Sequence, residues 1–395
     1  MSLDERFARG ELIHPLEGAP SSVDLFQTMC ELAGGRTFEE SRNKKALREL
    51  IGHHDHYLFV LVDGLGTSLS GCFPASGFLA SAATHRLHSV FPSTTAVALT
   101  SLATGAWPAE HGLTGWWTYF PEHRRVLCPL LFSERGTGVD GETLGLTMNE
   151  LVPSPPVMGG LFRTVSSLLP REITSGAYAG WSRGGTSITP YRSFSHAREL
   201  LARLYRRTAG PTYTYLYLLT VDKACHAHGV ASEEVANEVA RVDRLLGRIR
   251  EAIPQRVRMV VSADHGLVDV LPERHFVIRD QDPIARHLIA GQTGEATTPV
   301  FHLREGADEA FREEFSRHEA SRYFSLHEPE ELGRRGFYGP VGLSNAARSH
   351  LGDYVGVSTE PALLEYVPTG RSPVDHIGVH GGLRPAEMQV PLILA

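Results

Sequence analysis

Three short apolar runs, each followed by an aspartate, constrain the fold of this chain more than any other feature. The runs HYLFVLVD, TYTYLYLLTVD and RVRMVVSAD end at Asp63, Asp222 and Asp264, and His265 follows the last of them. An apolar run without polar alternation is typical of a strand buried on both faces, as in a parallel sheet. In open α/β sheets, ligands bind beyond the carboxyl ends of the strands. The three aspartates are therefore predicted to meet at one edge of a sheet.

A second stretch, FPSTTAVALTSLATG, predicts a short and nearly uncharged buried helix between Phe91 and Gly105. Ser and Thr favour helix starts because their side-chain oxygens accept unpaired backbone N–H groups, and Gly favours helix ends. Hydroxyl groups at the start of this helix would face any anion that binds there, because the N-terminal end carries partial positive charge. Thr95 is our candidate for a metal-activated nucleophile that attacks phosphorus.

Composition and net charge indicate a globular protein and argue against a nucleic-acid-binding protein. The chain of 395 residues is 42% hydrophobic and 21% charged, which is typical of a globular protein. A net charge of −7 predicts no general nucleic-acid-binding surface, so no nucleic-acid polymer is expected as a partner. The sequence leaves the oligomeric state open.

Cysteine spacing and hydropathy bear on the compartment. Cys30, Cys72, Cys128 and Cys225 have no CxxC spacing, which favours reduced thiols over disulfides or a cysteine zinc site. The first residues contain no apolar signal segment, and no apolar run reaches the length of a membrane span. We expect a cytoplasmic protein without a membrane span, although a chain trimmed of its leader would look the same.

The remaining segments divide into a catalytic core and an insertion. We predict a core of residues 1–275 and 376–395, with 276–375 forming a small α+β insertion or cap. Within the core, helical spacing or capping signals predict five helices, over Ser22–Ala33, Thr37–Ile51, Leu161–Leu169, Ser195–Thr208 and Ala231–Ile253.

Carboxylate and imidazole side chains suggest a metal site at the sheet edge. Asp222 and His226 are close enough in sequence to bind one ion, Asp264 and His265 are adjacent, and His380 begins a His-Gly-Gly turn. Zinc favours such nitrogen and oxygen ligands. A single aspartate after a strand is more often a turn former or helix cap, and a lone histidine is more often packed or on the surface. Several such positions at strand ends are harder to explain in that way.

Together these motifs resemble the alkaline phosphatase superfamily and, within it, the nucleotide pyrophosphatase/phosphodiesterase (type I phosphodiesterase) family. The resemblance rests on VDGLG, FPSTTAVALTSLATGAWPAEHG, the D-x-x-x-H-x-x-G stretch, SADHG and HGG. It implies an alkaline-phosphatase-like three-layer α/β/α sandwich and two Zn²⁺ ions, for which other divalent metals could substitute. It also implies Thr95, rather than Thr94, as the nucleophile, from its ten-residue offset to Gly105. The implied ligands are Asp63, Thr95, Asp264 and His265 for one ion, and Asp222, His226 and His380 for the other.

Two positions depart from the pattern of this family. The asparagine that helps to bind the substrate phosphoryl oxygen is replaced by Trp116, and the aromatic residue that stacks on the nucleobase is replaced by Ala96. Trp116 lies in an aromatic run that could line a substrate pocket or pack in the core. Arg183 and Lys223 are the other candidate substrate contacts, since either could meet a phosphate oxygen.

The resemblance therefore implies a hydrolase that cleaves a phosphate diester or pyrophosphate bond of a small organic phosphate through a phospho-threonine intermediate. A phosphomonoesterase with the same site is the alternative, and it would need extra positive groups such as Lys223 or Arg183. A phosphomutase and a non-catalytic metal-binding protein fit the motifs less well. A sulfatase is disfavoured, because that branch uses Cys or Ser where Thr95 stands.

Overall fold

The computed structural model describes residues 2–395, which form a mixed α/β fold around a seven-stranded sheet. The strands are β1 (His56–Val62), β2 (Ala83–His88), β3 (Thr118–Phe120), β4 (Arg125–Cys128), β5 (Ser133–Glu134), β6 (Thr164–Pro170), β7 (Ser187–Tyr191), β8 (Thr212–Leu218), β9 (Val257–Ser262), β10 (Val268–Asp269), β11 (His275–Ile278), β12 (Thr293–Gly294), β13 (Pro299–Phe301), β14 (Phe324–His327), β15 (Tyr354–Ser358), β16 (Leu363–Tyr366), β17 (Gly378–Val379) and β18 (Gln389–Leu394).

The central sheet has the strand order β2-β18-β9-β1-β8-β6-β7. Five consecutive strands, β9, β1, β8, β6 and β7, run parallel, whereas β18 pairs antiparallel with both β9 and β2. Every residue of β1 and β8 is buried, as the unbroken apolar runs predict for strands covered on both faces. The predicted α/β class and the parallel arrangement of the three apolar runs are confirmed.

Helices pack against this sheet and share its hydrophobic core. The α-helices are α1 (Leu3–Ala8), α2 (Ser22–Leu32), α3 (Arg42–Ile51), α4 (Phe78–Ser81), α5 (Thr95–Thr104), α6 (Pro108–His111), α7 (Met148–Leu151), α8 (Ala177–Ser182), α9 (Phe194–Arg207), α10 (Thr220–His228), α11 (Glu233–Ala252), α12 (Asp308–Arg317), α13 (Pro329–Arg334), α14 (Asn345–Leu351) and α15 (Pro385–Met388). Helix α5 is buried along its whole length, and Gly105 ends it in a left-handed conformation. The short buried helix predicted between Phe91 and Gly105 is confirmed.

The helix predicted over Leu161–Leu169 is wrong, because residues Thr164–Pro170 form β6. This strand lies between β8 and β7 and is parallel to both, and its last four residues are buried. The apolar residues of so short a segment are compatible with both the helical and the strand periodicity. Hydrogen bonding to two neighbouring strands stabilises the strand.

Residues 276–375 carry their own sheet, with the order β12-β13-β15-β14, and a hydrophobic cluster that includes Phe301, Phe311 and Phe315. A second cluster joins Val300 and Val355 of this region to the chain start and to Phe91. The region is therefore packed against the segment that leads into α5. Its boundaries as a separate insertion stay a prediction.

Candidate active site

The loops after β1 and β9 bring two aspartates together at the carboxyl edge of the sheet. Asp63 directly follows β1, and its backbone N–H donates to the carbonyl oxygen of Leu218 at 2.8 Å. The next N–H, of Gly64, donates to Oδ1 of Asp264 at 3.1 Å. Gly64 has φ +73°, and a Cβ at this position would lie 2.8 Å from the Cα of Asp222. Glycine is required here because φ is positive and the backbone of Asp222 approaches so closely.

Asp222 does not lie at a strand end, which corrects the sequence-based placement. Strand β8 ends at Leu218, and both Asp222 and His226 lie on α10. Residues four apart on a helix share one face, so the two side chains meet, with 3.3 Å between Oδ2 of Asp222 and Nε2 of His226. The pairing predicted from the spacing is present, but a helix rather than a turn produces it.

The side chains of Asp63, Asp222 and Asp264 form an acidic edge at this end of the sheet. Thr95 is the first residue of α5, and its hydroxyl faces this acidic edge. Its Oγ1 lies 2.9 Å from Nε2 of His265 and 3.5 Å from Oδ1 of Asp63. The N-cap residue is Thr94, yet its side chain does not cap the helix as the sequence suggested, because its hydroxyl donates to Oε1 of Glu295 at 2.7 Å. The first N–H groups of α5 therefore lack a side-chain cap.

The candidate ligands form two overlapping groups in which all donor atoms lie within 4.8 Å of one another. One group contains Asp222, His226 and His380, and the other contains Asp63, Asp222 and His265. Asp264 lies beside them, with 3.7 Å between its Oδ2 and Nε2 of His265. The structure thus brings every predicted ligand position to one place, whereas the assignment of each residue to a particular ion stays a prediction.

This donor set fits divalent cations. Oδ1 of Asp222 and Oδ2 of Asp264 are buried and have no hydrogen-bond partner. Burial of a carboxylate oxygen without a partner is costly, and a bound cation would remove that cost. Three buried carboxylates with imidazole nitrogens are the oxygen and nitrogen ligands that zinc accepts.

Two of the histidines are already oriented for metal binding. Nδ1 of His226 lies 2.7 Å from the carbonyl oxygen of Gly378, and Nδ1 of His265 lies 3.2 Å from that of Gly266. In a neutral imidazole, a hydrogen bond from Nδ1–H to a carbonyl leaves the lone pair of Nε2 available to a metal ion, which would take the place of the proton that His226 shares with Asp222. The ring of His380 stacks on that of His265, with 3.8 Å between their centroids.

Burial and mutual repulsion shift the pKa values of these groups in opposite directions. Burial, together with Asp264 and Asp222, raises the pKa of Asp63 well above its ordinary value. Burial alone would also raise the pKa of Asp222, but the hydrogen bond and charge of His226 bring it below the ordinary value. Burial and the neighbouring His265 and His226 lower the pKa of His380, which keeps this imidazole neutral. A bound cation would offset the repulsion between these carboxylates and would favour their charged form.

A cavity of about 630 Å³ opens above this edge and is lined by Thr95 and Asp63 as well as by the three candidate substrate contacts. Trp116 lines it, and its backbone N–H donates to Oε1 of Glu295 at 2.6 Å. Lys223 is exposed, with 3.7 Å between its Nζ and Oε1 of Glu172. Arg183 lines the side wall of the cavity, and only 3% of its surface is exposed.

Sequence reasoning missed two residues of the site. Tyr217, in the apolar run of β8, donates its hydroxyl hydrogen to Oδ2 of Asp63. Its signal was the Tyr alternation in TYTYLYL, which directs Tyr213, Tyr215 and Tyr217 to one face. Glu295 comes from a loop without any motif, and burial raises its pKa to about 7 even though Thr94 and the Trp116 N–H donate hydrogen bonds to it.

Comparison with known proteins agrees with this geometry. The sequence profile of the family described as type I phosphodiesterase/nucleotide pyrophosphatase matches residues 58–133 and 167–382. A search of curated protein sequences found no match. Within residues 2–395, no helix combines the length and hydropathy needed to cross a membrane.

Solved structures share the fold at low sequence identity. Murine ectonucleotide pyrophosphatase/phosphodiesterase 5 superposes with a TM-score of 0.62 at 15% identity, over 86% of this chain and 87% of that one. Its human counterpart gives 0.64 at 15% identity over the same shares. Phosphonoacetate hydrolase from Sinorhizobium meliloti 1021, in complex with phosphonoformate, gives 0.57 at 20% identity over 86% and 89%. These likenesses bear out the alkaline-phosphatase-like fold.

Proposed function

The chain belongs to the type I phosphodiesterase/nucleotide pyrophosphatase family, whose members are hydrolytic enzymes, and we propose that it is a di-zinc hydrolase acting on a small organic phosphate. The bond cleaved is a phosphate diester or pyrophosphate bond, and Thr95 is the nucleophile. One observation carries the proposal. The Thr95 hydroxyl lies at an uncapped helix start and within 3.5 Å of both His265 and Asp63 in an acidic cluster.

Seven side chains would hold the two ions. Asp222, His226 and His380 form one ligand set, and the second consists of Asp63, Thr95, Asp264 and His265. When bound, such ions lower the pKa of a coordinated hydroxyl and neutralise negative charge on the phosphoryl oxygens.

The chain's own residues supply positioning and a covalent intermediate. Oγ1 of Thr95 attacks phosphorus, a new O–P bond forms, and the leaving oxygen departs with the electrons of the bond that breaks. Water then attacks phosphorus, the bond between phosphorus and Oγ1 of Thr95 breaks, and the second product leaves while a proton from the attacking water restores the Thr95 hydroxyl. The uncapped N–H groups at the start of α5 are available to donate to a phosphoryl oxygen as its charge grows. Tyr217 holds Asp63 in place through its hydroxyl.

Two relatives support this chemistry. One murine phosphodiesterase 5 structure is of an inactive Thr-to-Ala variant in complex with AMP, which supports a threonine nucleophile here. The Sinorhizobium enzyme is a phosphonoacetate hydrolase, which supports the view that the same fold accepts other phosphorus compounds. Ala96 and Trp116, at the positions used by the family for the base and the phosphoryl oxygen, favour a substrate other than a simple nucleotide.

A reducing compartment is part of the proposal. All four cysteines are free, and three of them, Cys30, Cys128 and Cys225, are buried. Free thiols are the rule in the cytoplasm. We therefore propose a cytoplasmic enzyme.

Metal analysis and chromogenic esters test the proposal. We expect two metal equivalents per chain, hydrolysis of a bis-p-nitrophenyl diester faster than of the monoester, and a loss of about 10³-fold or more in Thr95→Ala. Thr104→Ala is the matched control, because it makes the same change at the other end of α5. Fewer than two metals, or full activity in Thr95→Ala, would contradict the mechanism, and faster monoester turnover would favour the phosphomonoesterase.

A further inference from the structure

Arg183 is a buried cation without an acidic partner. It ends α8, and its side chain is almost fully buried. Its Nε donates to Oγ of Ser182 at 3.3 Å. Among residues 2–395, Nη1 of its guanidinium has no hydrogen-bond acceptor, and no ion pair joins Arg183 to a carboxylate. Nη1 is completely enclosed and unpaired.

The surroundings compensate only part of the cost of burying this charge. The guanidinium carbon lies 4.5 Å from the ring centroid of Tyr215, in a cation–π arrangement. Such a contact is weaker than the cost of burying a charge that has no partner. A guanidinium has five N–H donors in a planar fork that matches a carboxylate or a phosphate. The geometry therefore points to an anion as the missing partner.

Arg183 lines the same cavity as Thr95 and packs on Tyr215 rather than on a candidate metal ligand. Its neighbour Tyr178 hydrogen-bonds through its hydroxyl to Thr100, which lies about 7.5 Å beyond Thr95 along α5 at 1.5 Å per residue. The ring of Tyr215, on which Arg183 packs, stacks on that of Tyr217 with 6.4 Å between the centroids. Tyr217 in turn contacts Asp63. Two tyrosines, Tyr215 and Tyr217, thus connect the guanidinium to the candidate metal ligand Asp63.

We propose that Arg183 binds a second anionic group of the substrate, a carboxylate or a phosphate, several bonds away from the scissile phosphorus. The inference rests on the proposed function of this cavity and specifies its substrate class, an organic phosphate ester with an anionic arm. Lys223 is a poor candidate for the same task, because it is solvent-exposed and already has Glu172 within 3.7 Å. A cationic or purely apolar arm would leave the guanidinium unpaired and is disfavoured.

A series of p-nitrophenyl phosphodiesters tests this assignment. The second ester arm is a pentyl chain, the same chain ending in a carboxylate, or the same chain ending in a phosphate. For wild type we expect kcat/KM to be higher for the anionic arms, and in Arg183→Met we expect it to fall about 30- to 100-fold for those arms but less than about 3-fold for the pentyl ester. The arm with the larger loss identifies the anion. Arg206→Met, an exposed arginine on α9, is the matched control.

A binding measurement gives a second readout that does not depend on turnover. In metal-stripped protein the acidic edge repels anions, and the start of α5 and Lys223 could still attract one, so only the binding that Arg183→Met loses is assigned to Arg183. Inorganic phosphate and glutarate are the probes, and calorimetry is expected to detect binding to wild type that Arg183→Met loses. Arg183→Lys keeps the charge without the fork and is expected to retain part of the binding; it decides the question if Arg183→Met does not fold.

Two outcomes would overturn the inference. Equal losses for the pentyl and anionic esters would assign Arg183 a purely structural role, and the absence of both anion preference and anion binding in wild type would remove the site. The proposed function fails separately, if no ester is hydrolysed or Thr95→Ala stays active. Binding of phosphate or glutarate through Arg183 would then still stand.

Discussion

The floor and the wall of the cavity differ in charge and in origin. The floor consists of side chains at the sheet edge and on α10, and it concentrates three buried carboxylates beside Thr95. The wall includes Arg183, a buried cation without a carboxylate nearby, together with Trp116 and other residues outside the motifs. Carboxylates crowded in this way attract cations, whereas the guanidinium attracts an anion. In the function proposed above, the floor supplies the chemistry and the wall selects the substrate.

The largest effect is expected from removal of a ligand in the floor. His226→Ala should lose metal, as measured by elemental analysis, and lower kcat/KM by about 10²–10³-fold, the size seen when a preorganised contact to the transition state is lost. His228→Ala is the matched control, because His228 is exposed on the same helix. If both variants kept their metal and their activity, the floor would not be a cation site.

A pH-dependent effect is expected from Glu295, which links the wall to the floor through Thr94 and Trp116. Burial raises the pKa of its carboxyl to about 7 from 4.5. The folded state therefore holds the proton more tightly, so the stabilisation is complete below about pH 4.5 and is lost as the pH rises through 7.

Glu295→Gln mimics the protonated form and should escape this loss. Relative to wild type, its free energy of unfolding is expected to rise by up to about 3 kcal/mol between pH 4.5 and 8, measured by urea denaturation in metal-free buffer. Glu305→Gln, an exposed counterpart, should show no such trend. A pH-independent difference between Glu295→Gln and wild type would contradict the buried, protonated carboxyl.

A smaller effect is expected at Tyr217, which supports the floor from β8. Tyr217→Phe keeps the stack on Tyr215 but removes the hydroxyl that donates to Asp63. Groups that orient metal ligands typically contribute 10- to 100-fold, and we expect about 10-fold in kcat/KM together with weaker metal affinity. Tyr213→Phe, on the same strand and face, is the control. Unchanged metal affinity in Tyr217→Phe would show that Asp63 is held by other contacts.

The smallest effect is expected at the exposed cation of the wall. Lys223→Ala should change kcat/KM by less than about two-fold, because an exposed ion pair such as that with Glu172 contributes little. The same esters used for Arg183 provide the measurement. A loss for anionic arms larger than that in Arg183→Met would transfer the anion site from the buried to the exposed cation.

The local sequence pattern predicted the secondary structure correctly where only one kind of element, helix or strand, was compatible with it. The unbroken apolar runs predicted β1, β8 and β9, because burial on both faces requires apolar residues. The terminal Gly and the Thr-rich start predicted α5, although only Gly105 acts as the cap that the pattern suggested. The segment Leu161–Leu169 was mistaken for a helix, since its short apolar pattern fits both periods until β7 and β8 pair with it. Asp222 was assigned to a strand end for a related reason, as the boundary between β8 and α10 leaves no clear signal in the sequence.

The sequence by itself determined the three adjacent strands β9, β1 and β8, the buried helix and the set of side chains that could bind metal, because these depend on residue type and spacing along the chain. Only the tertiary structure decided that Glu295 meets Thr94 and that Arg183 lies buried without a partner on the wall of the same cavity. Both contacts join residues far apart in sequence, and neither residue belongs to a motif. Whether a buried charge lacks a partner can be seen only in the folded structure, since the cost of burial depends on the groups that surround the charge.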